Sequence, residues 1–270
     1  MQADAARSSV EFPRPCGFLH AHERRSGKFG AMSTLQDVMA QLELAGTAQN
    51  RKVYARHGAA EPMFGVSYKD LGRIAKPLRT DHALAGDLWD SGNHDARVLA
   101  LRLADAAAMT KTRARRWLRD IDNYILAEAL GGLLSQSPHA RSLSDEWRDS
   151  PSEWPASVGW FIVACTAEQS DVWSASELRT IVGQIDAEIA ERPNRVRHEM
   201  NGVLIAIGLR DESLRRSVLE LDARIGPVLV DHGETGCKTP AIAPYIDRTL
   251  AHREKMAARR AAKAAAKAKA

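Results

Sequence analysis

Tyr124 and Glu128 stand four residues apart in DNYILAEALGGLL, residues 122 to 134, at the start of a segment that is otherwise apolar. On a helix, positions i and i+4 share a face and touch, so an aromatic ring and a carboxylate would sit together at the edge of a core. An ionised carboxylate in a low-dielectric groove stabilises positive charge that develops on a reacting group and can position a water. The ring would offer its π face to the same cation. The plainer alternative is that Glu128 pairs with a neighbouring arginine or faces solvent. Asp122 is a competing carboxylate, although it lies near the helix start, where an acidic residue is favourable anyway. Glu128 is preferred because it keeps the aromatic one turn behind it.

Three further clusters carry chemistry-bearing side chains. VDHGETGC, residues 230 to 237, gathers Asp231, His232, Glu234 and Cys237 and is followed by Lys238. These groups can bind metal, but a structural zinc site shows paired spacings such as CxxC, which are missing here. No metal and no cofactor are expected, and a tight glycine turn with Lys238 near a phosphate is the preferred account. In GNHDARVLA, residues 92 to 100, Asn93 is an expected helix cap, and Arg97 is expected to pair with Asp90 or Asp95. KTRARRW, residues 111 to 117, holds four cations in six residues. On a solenoid edge such a run contacts phosphates; otherwise it is a solvated helix face.

The elements that must position these groups are helical. From residue 33 to 250, apolar residues recur at three-to-four spacing in blocks of about 12 to 18 residues, broken by polar, Gly or Pro punctuation, with no period-two strand. Thr34 (or Ser33), Thr110, Ser176 and Asn194 are expected caps for first-turn amides. Short helices joined by short connectors bury their apolar faces by stacking in pairs, which predicts an all-α, right-handed α-solenoid of paired antiparallel helices with a repeat of about 35 to 40 residues.

Composition sets the outer limits. The chain has 270 residues, 44% hydrophobic, 27% charged and 6% aromatic, and no stretch nears the ~20 apolar residues of a membrane span. Cys16, Cys165 and Cys237 are odd in number and widely separated, which suggests a reduced, cytoplasmic setting. Residues 1–31 show no sustained apolar run and are expected to be a disordered extension without a secretory signal. Residues 251–270 hold seven Lys or Arg against one Glu, contributing +6 of a net +4, so the rest of the chain sums to −2. Such an Ala/Lys tail forms helix readily but has no stripe to dock; it is either a tether for polyanions or a solubilising end.

Taken together, FGVSYKDLGRIAK, DLWDSGNHDARVLALRLAD, WLRDIDNYILAEALGGLLSQSP, EWPASVGWFIVACTA and HEMNGVLIAIGLRD resemble the HEAT-like-repeat DNA alkylation repair proteins, the alkylpurine DNA glycosylase superfamily. The resemblance covers about residues 35 to 250 and rests on many weak landmarks in order. It implies hydrolysis of the N-glycosidic bond of N3- or N7-alkylated purines, with the lesion left in the DNA stack. A cationic alkylbase is already a good leaving group, so a carboxylate that stabilises the developing sugar cation suffices. The family's aromatic and carboxylate fall on Tyr124 and Glu128. Its arginine falls on Ser157 and its second aromatic on Gly202, so two of the four groups are missing.

Three functions follow as expectations: a DNA glycosylase for alkylated purines, a DNA-binding solenoid without excision, and a protein-interaction solenoid. The partner implied is double-stranded DNA, alkylated or otherwise distorted, bound by a monomer in the cytoplasm at the nucleoid. Arg116, Arg119, Arg195 and Lys238 are the expected DNA-contacting cations on the concave face. The repeat domain is expected over residues 32–250 and the basic tail over 251–270. Lost site residues predict binding with weak or absent excision.

Overall fold

The computed structural model describes residues 34–268. The expected N-terminal extension and Cys16 lie outside the described residues. Among the described residues thirteen α-helices follow one another: α1 (Leu35–Ala45), α2 (Ala48–Arg56), α3 (Tyr68–Leu78), α4 (His82–Asp90), α5 (His94–Leu103), α6 (Lys111–Arg119), α7 (Tyr124–Leu134), α8 (Ala140–Trp147), α9 (Glu153–Thr166), α10 (Ala175–Glu188), α11 (Asn194–Arg210), α12 (Glu212–Ile225) and α13 (Ile242–Ala268). A single 3-10 turn separates α5 from α6. Among the described residues the one β pairing is an isolated bridge between Gly46 and Val66, and no helix is long and apolar enough to cross a membrane.

The expected all-α solenoid is what forms. Each odd-numbered helix from α1 to α13 packs on the next, giving one continuous layer, while α4, α8 and α12 back onto it through α5, α9 and α11. A helix that is apolar all round must be enclosed on every side, and EWPASVGWFIVACT is such a sequence. Accordingly, α9 lies at the centre. Its Val158 and Ile162 join the N-terminal core with Leu126, Leu130 and Trp117. Ala156, Trp160 and Val163 face the C-terminal core with Met200, Leu204 and Ile185.

Local capping follows the sequence in most places. Thr34, Asn93 and Thr110 accept first-turn amides at α1, α5 and α6. The cap of α10 is Ser174, not Ser176, because Glu177 stands three residues after Ser174 and completes a reciprocal capping box. Asn194 does not cap α11; its side chain instead grips both backbone groups of Asp231 in the following loop. The α5 ion pairs also differ from expectation. Asp95, fully buried, accepts the backbone N–H groups of Phe64, Gly65 and Val66 at 2.7 to 2.9 Å and so ties down the α2–α3 loop. Arg97 turns to Asp120, at 3.9 Å, and lies over the Trp89 ring.

Candidate functional site

Four neighbouring helices of the continuous layer, α13 among them through Tyr245, and one loop converge on a cavity of about 230 Å³. Tyr124 and Glu128 reach it from α7, Phe161 and Ala164 from α9, and Arg195, His198, Glu199 and Gly202 from α11. The loop between α12 and α13 closes one side with His232, Cys237 and Lys238. Gly131 allows α7 and α9 to approach this closely: a β-carbon there would lie 2.8 Å from the Phe161 ring.

Arg195 is the centre of the arrangement. Its backbone N–H donates to Glu153 at 2.7 Å, which fixes the start of α11 against α9. Its Nη2 donates to Glu128 Oε1 at 3.0 Å, and the guanidinium lies 4.0 Å from the centre of the Tyr124 ring. The Tyr124 hydroxyl is hydrogen-bonded to His57 Nδ1. Both Arg195 and Glu128 have largely buried side chains. Arg195 thus occupies the Tyr124 face and the Glu128 oxygen simultaneously.

Burial dominates the proton affinities. It pushes the Glu128 carboxyl up to about 7, against the opposing Arg195 charge. Glu199, 4% exposed, is pushed well above the usual carboxylate range by burial and by the nearby Glu128 charge, again with Arg195 opposing. Two carboxyls therefore lie in the field of one guanidinium, bonded only to Glu128, and burial makes the pair hold a proton more tightly than free carboxylates do. Burial and the Arg195 and His232 charges hold His198 down at about 3, so it is a neutral imidazole. Thr239 Oγ1 stands between His198 Nδ1, at 3.3 Å, and His232 Nε2, at 3.0 Å, stitching the loop to α11. The loop turns at Gly233, whose φ is +58° and whose N–H donates to Asp231. No group of His, Cys, Asp or Glu with metal-binding geometry occurs among the described residues.

The expected site residues divide. Tyr124, Glu128, Arg195 and Lys238 meet at the cavity. Asp122 does not: it is exposed and accepts a hydrogen bond from the Asn123 side chain at 2.6 Å. Arg116 and Arg119 are exposed on α6, a helix outside the continuous layer, and Arg116 is held by Asp90 at 2.7 Å. Neither lines the cavity that Arg195 enters. Sequence reasoning does not single out Glu199 and His198, which lie in the polar first half of α11; their position one turn from Arg195 is the available signal.

Comparison with known proteins places this geometry. A family model described as "DNA alkylation repair enzyme" matches residues 38–263. The chain belongs to the DNA alkylation repair enzyme family. Within the family's reach, the uncharacterized protein Lin0241 of Listeria innocua is 24% identical over 224 residues, covering 80% of this chain and 97% of its own. Lmo0209 of Listeria monocytogenes is 25% identical over the same shares. A solved structure, described as "a new family of proteins related to the HEAT-like repeat DNA glycosylases with affinity for branched DNA structures", superposes with a TM-score of 0.73 at 27% identity, covering 81% of this chain and 94% of that one.

Ser157 and Gly202, where the resemblance implies an arginine and a second aromatic, sit in different surroundings. Gly202 lines the cavity, and a β-carbon there would meet open space. Ser157 lies at 2% exposure away from the cavity lining, and its hydroxyl has no hydrogen-bond partner.

Proposed function

We propose that this protein is a DNA-binding member of the DNA alkylation repair family that holds distorted or branched duplex DNA on its cavity-bearing face without excising alkylated purines. The observation that carries this reading is the placement of Arg195 across both Tyr124 and Glu128. Excision needs a free carboxylate beside the sugar and an open π face. Here the carboxylate is neutralised by an internal ion pair, and the ring is covered by a cation. The affinity for branched DNA named for the structural neighbour supports the same choice of partner.

A second reading, hydrolysis of the N-glycosidic bond of an alkylated purine still stacked in the duplex, is favoured by one feature: Tyr124, Glu128 and a guanidinium do converge in one cavity. The two readings separate in one experiment. The protein is incubated with a duplex carrying a single N7-methylguanine or N3-methyladenine, free base is measured, and affinity for linear and branched DNA is measured in parallel. Binding with no base release above the uncatalysed rate supports the first reading, and release supports the second. Absence of any DNA binding leaves the protein-interaction solenoid.

A further inference from the structure

The cations of this chain fall into two sets. Most of those on the body are already used: Arg115 donates to Glu146, Arg116 to Asp90, Arg141 to Asp145 and Glu177, and Arg224 to Asp186. Those at the far end of α13 are not. Lys255, Arg259, Arg260 and Lys263 are exposed and make no ion pair or hydrogen bond with a described residue.

The helix that carries them is firmly rooted. Ile242 and Ile246 are buried in the C-terminal core, and Ile246 fits because Gly208 has no side chain: a β-carbon there would lie 2.5 Å from Ile246 Cδ1. Asp222 accepts the Ala243 N–H at 3.3 Å. Arg253 closes the docked part with a two-pronged pair to Glu168 at 2.7 and 2.9 Å. The helix crosses residue 250 without a break. From Glu254 to Lys263 only Met256 is partly covered.

Positions 255, 259, 260 and 263 fall within one half of the helix circumference. Apart from Glu254, Met256 and Lys267, the rest of residues 254–268 is alanine, which favours helix but offers no apolar stripe for a protein core to cover. Like charges at i and i+4 oppose their own helix by a few tenths of a kcal/mol per pair, a strain that a nearby polyanion relieves. Residues 254–268 extend about 22 Å at 1.5 Å per residue, roughly two-thirds of a duplex turn of ~34 Å. A duplex presents one negative charge per ~1.7 Å along that length, whereas residues 1–250 sum to −2 and offer DNA no net attraction.

We propose that residues 254–268 form a rigid basic arm that lies along the sugar-phosphate backbone of a DNA duplex, outside the cavity and without reading sequence. This adds a second surface to the DNA-binding reading above and shares with it only the choice of duplex DNA as partner.

The test compares the full chain with a variant carrying Lys255→Gln, Arg259→Gln, Arg260→Gln and Lys263→Gln, which removes charge while keeping good helix formers. Affinity for a short linear duplex is measured between about 50 and 200 mM salt. The slope of log affinity against log salt is expected to become shallower by about 0.9 per lost phosphate contact, hence by about 3 to 4 if all four cations engage. A charge-conserving variant, Lys255→Arg with Lys263→Arg, is expected to keep the wild-type slope. Unchanged slope and affinity in the four-site variant overturn the arm and leave the cavity reading standing, as they would if the arm served an acidic protein. Loss of all binding in that variant, with none in Lys238→Gln, supports the arm and defeats the cavity reading.

Discussion

Replacing Arg195 with methionine removes the charge at the centre of the cavity while keeping most of the packing of its stem. Its side chain is 10% exposed and that of Glu128 18%, and removing one member of so buried a pair costs about 3–5 kcal/mol while the other stays charged. Loss of the cation over Tyr124 adds about 1–2 kcal/mol. The charge part can be relieved by protonation, because burial already raises both Glu128 and Glu199. An acid whose folded value lies above its unfolded value binds its proton more tightly when folded. Its stability contribution is therefore full at low pH and declines as pH rises from about 4.5 through about 7 for Glu128. Without Arg195 the folded values rise further, so the decline steepens and extends to higher pH. In urea unfolding, Arg195→Met should lose about 4 kcal/mol or more at pH 8 and about half that at pH 5. Adding Glu128→Gln should restore part of the loss at pH 8, since one fewer unpaired carboxylate is then buried. A loss equal at the two pH values, with no rescue, would refute the shared-proton account.

Three other outcomes follow from the same geometry. Glu128→Gln keeps the volume but releases the Arg195 guanidinium, so affinity for duplex DNA should be equal or a few times tighter in an anisotropy titration; weaker binding counts against a DNA-facing cavity. Ser157→Ala removes a buried hydroxyl that has no partner and should be neutral or stabilising by about 1 kcal/mol in urea unfolding, whereas Ser157→Arg should cost about 3 kcal/mol or more by burying an unpaired charge; the opposite order would contradict the enclosed position of residue 157. Asp95→Ala strands three backbone amides at once and should cost about 3 kcal/mol or more in thermal unfolding, so an unchanged Tm would show that the α2–α3 loop is held by other contacts.

The helices were legible because their apolar periods are long and their caps conventional. Where caps were misread, a local competitor was responsible. At α10 the Glu177 carboxyl reaches back to Ser174, and at α11 the Asn194 side chain is drawn to Asp231. The pairing of Tyr124 with Glu128 could be read from their spacing alone. Arg195 could be read as a cation but not as their partner, because it lies 67 residues beyond Glu128 and meets it only through the stacking of α7, α9 and α11. The ion pairs of Arg115 and Arg116 on α6 were hidden for a similar reason: their acids, Glu146 and Asp90, come from other helices.

That stacking bears on how a site on this scaffold changes its chemistry. In a solenoid, successive helices of one layer present equivalent faces to a common groove, so a charged group can be lost from one helix and supplied by the next without altering the fold. The position where the resemblance places an arginine is Ser157 on α9, now sealed inside the core. A guanidinium instead enters the cavity from α11, at Arg195. Its direction of approach matters: coming from Arg195 it lies on the Tyr124 ring and closes onto Glu128, where an ion pair replaces the open carboxylate that excision requires. Opposite it, Gly202 leaves room where a second aromatic would stand. On the proposed reading, binding and excision on this framework are separated by the placement of one cation and one missing ring, and the helices that carry them need not move.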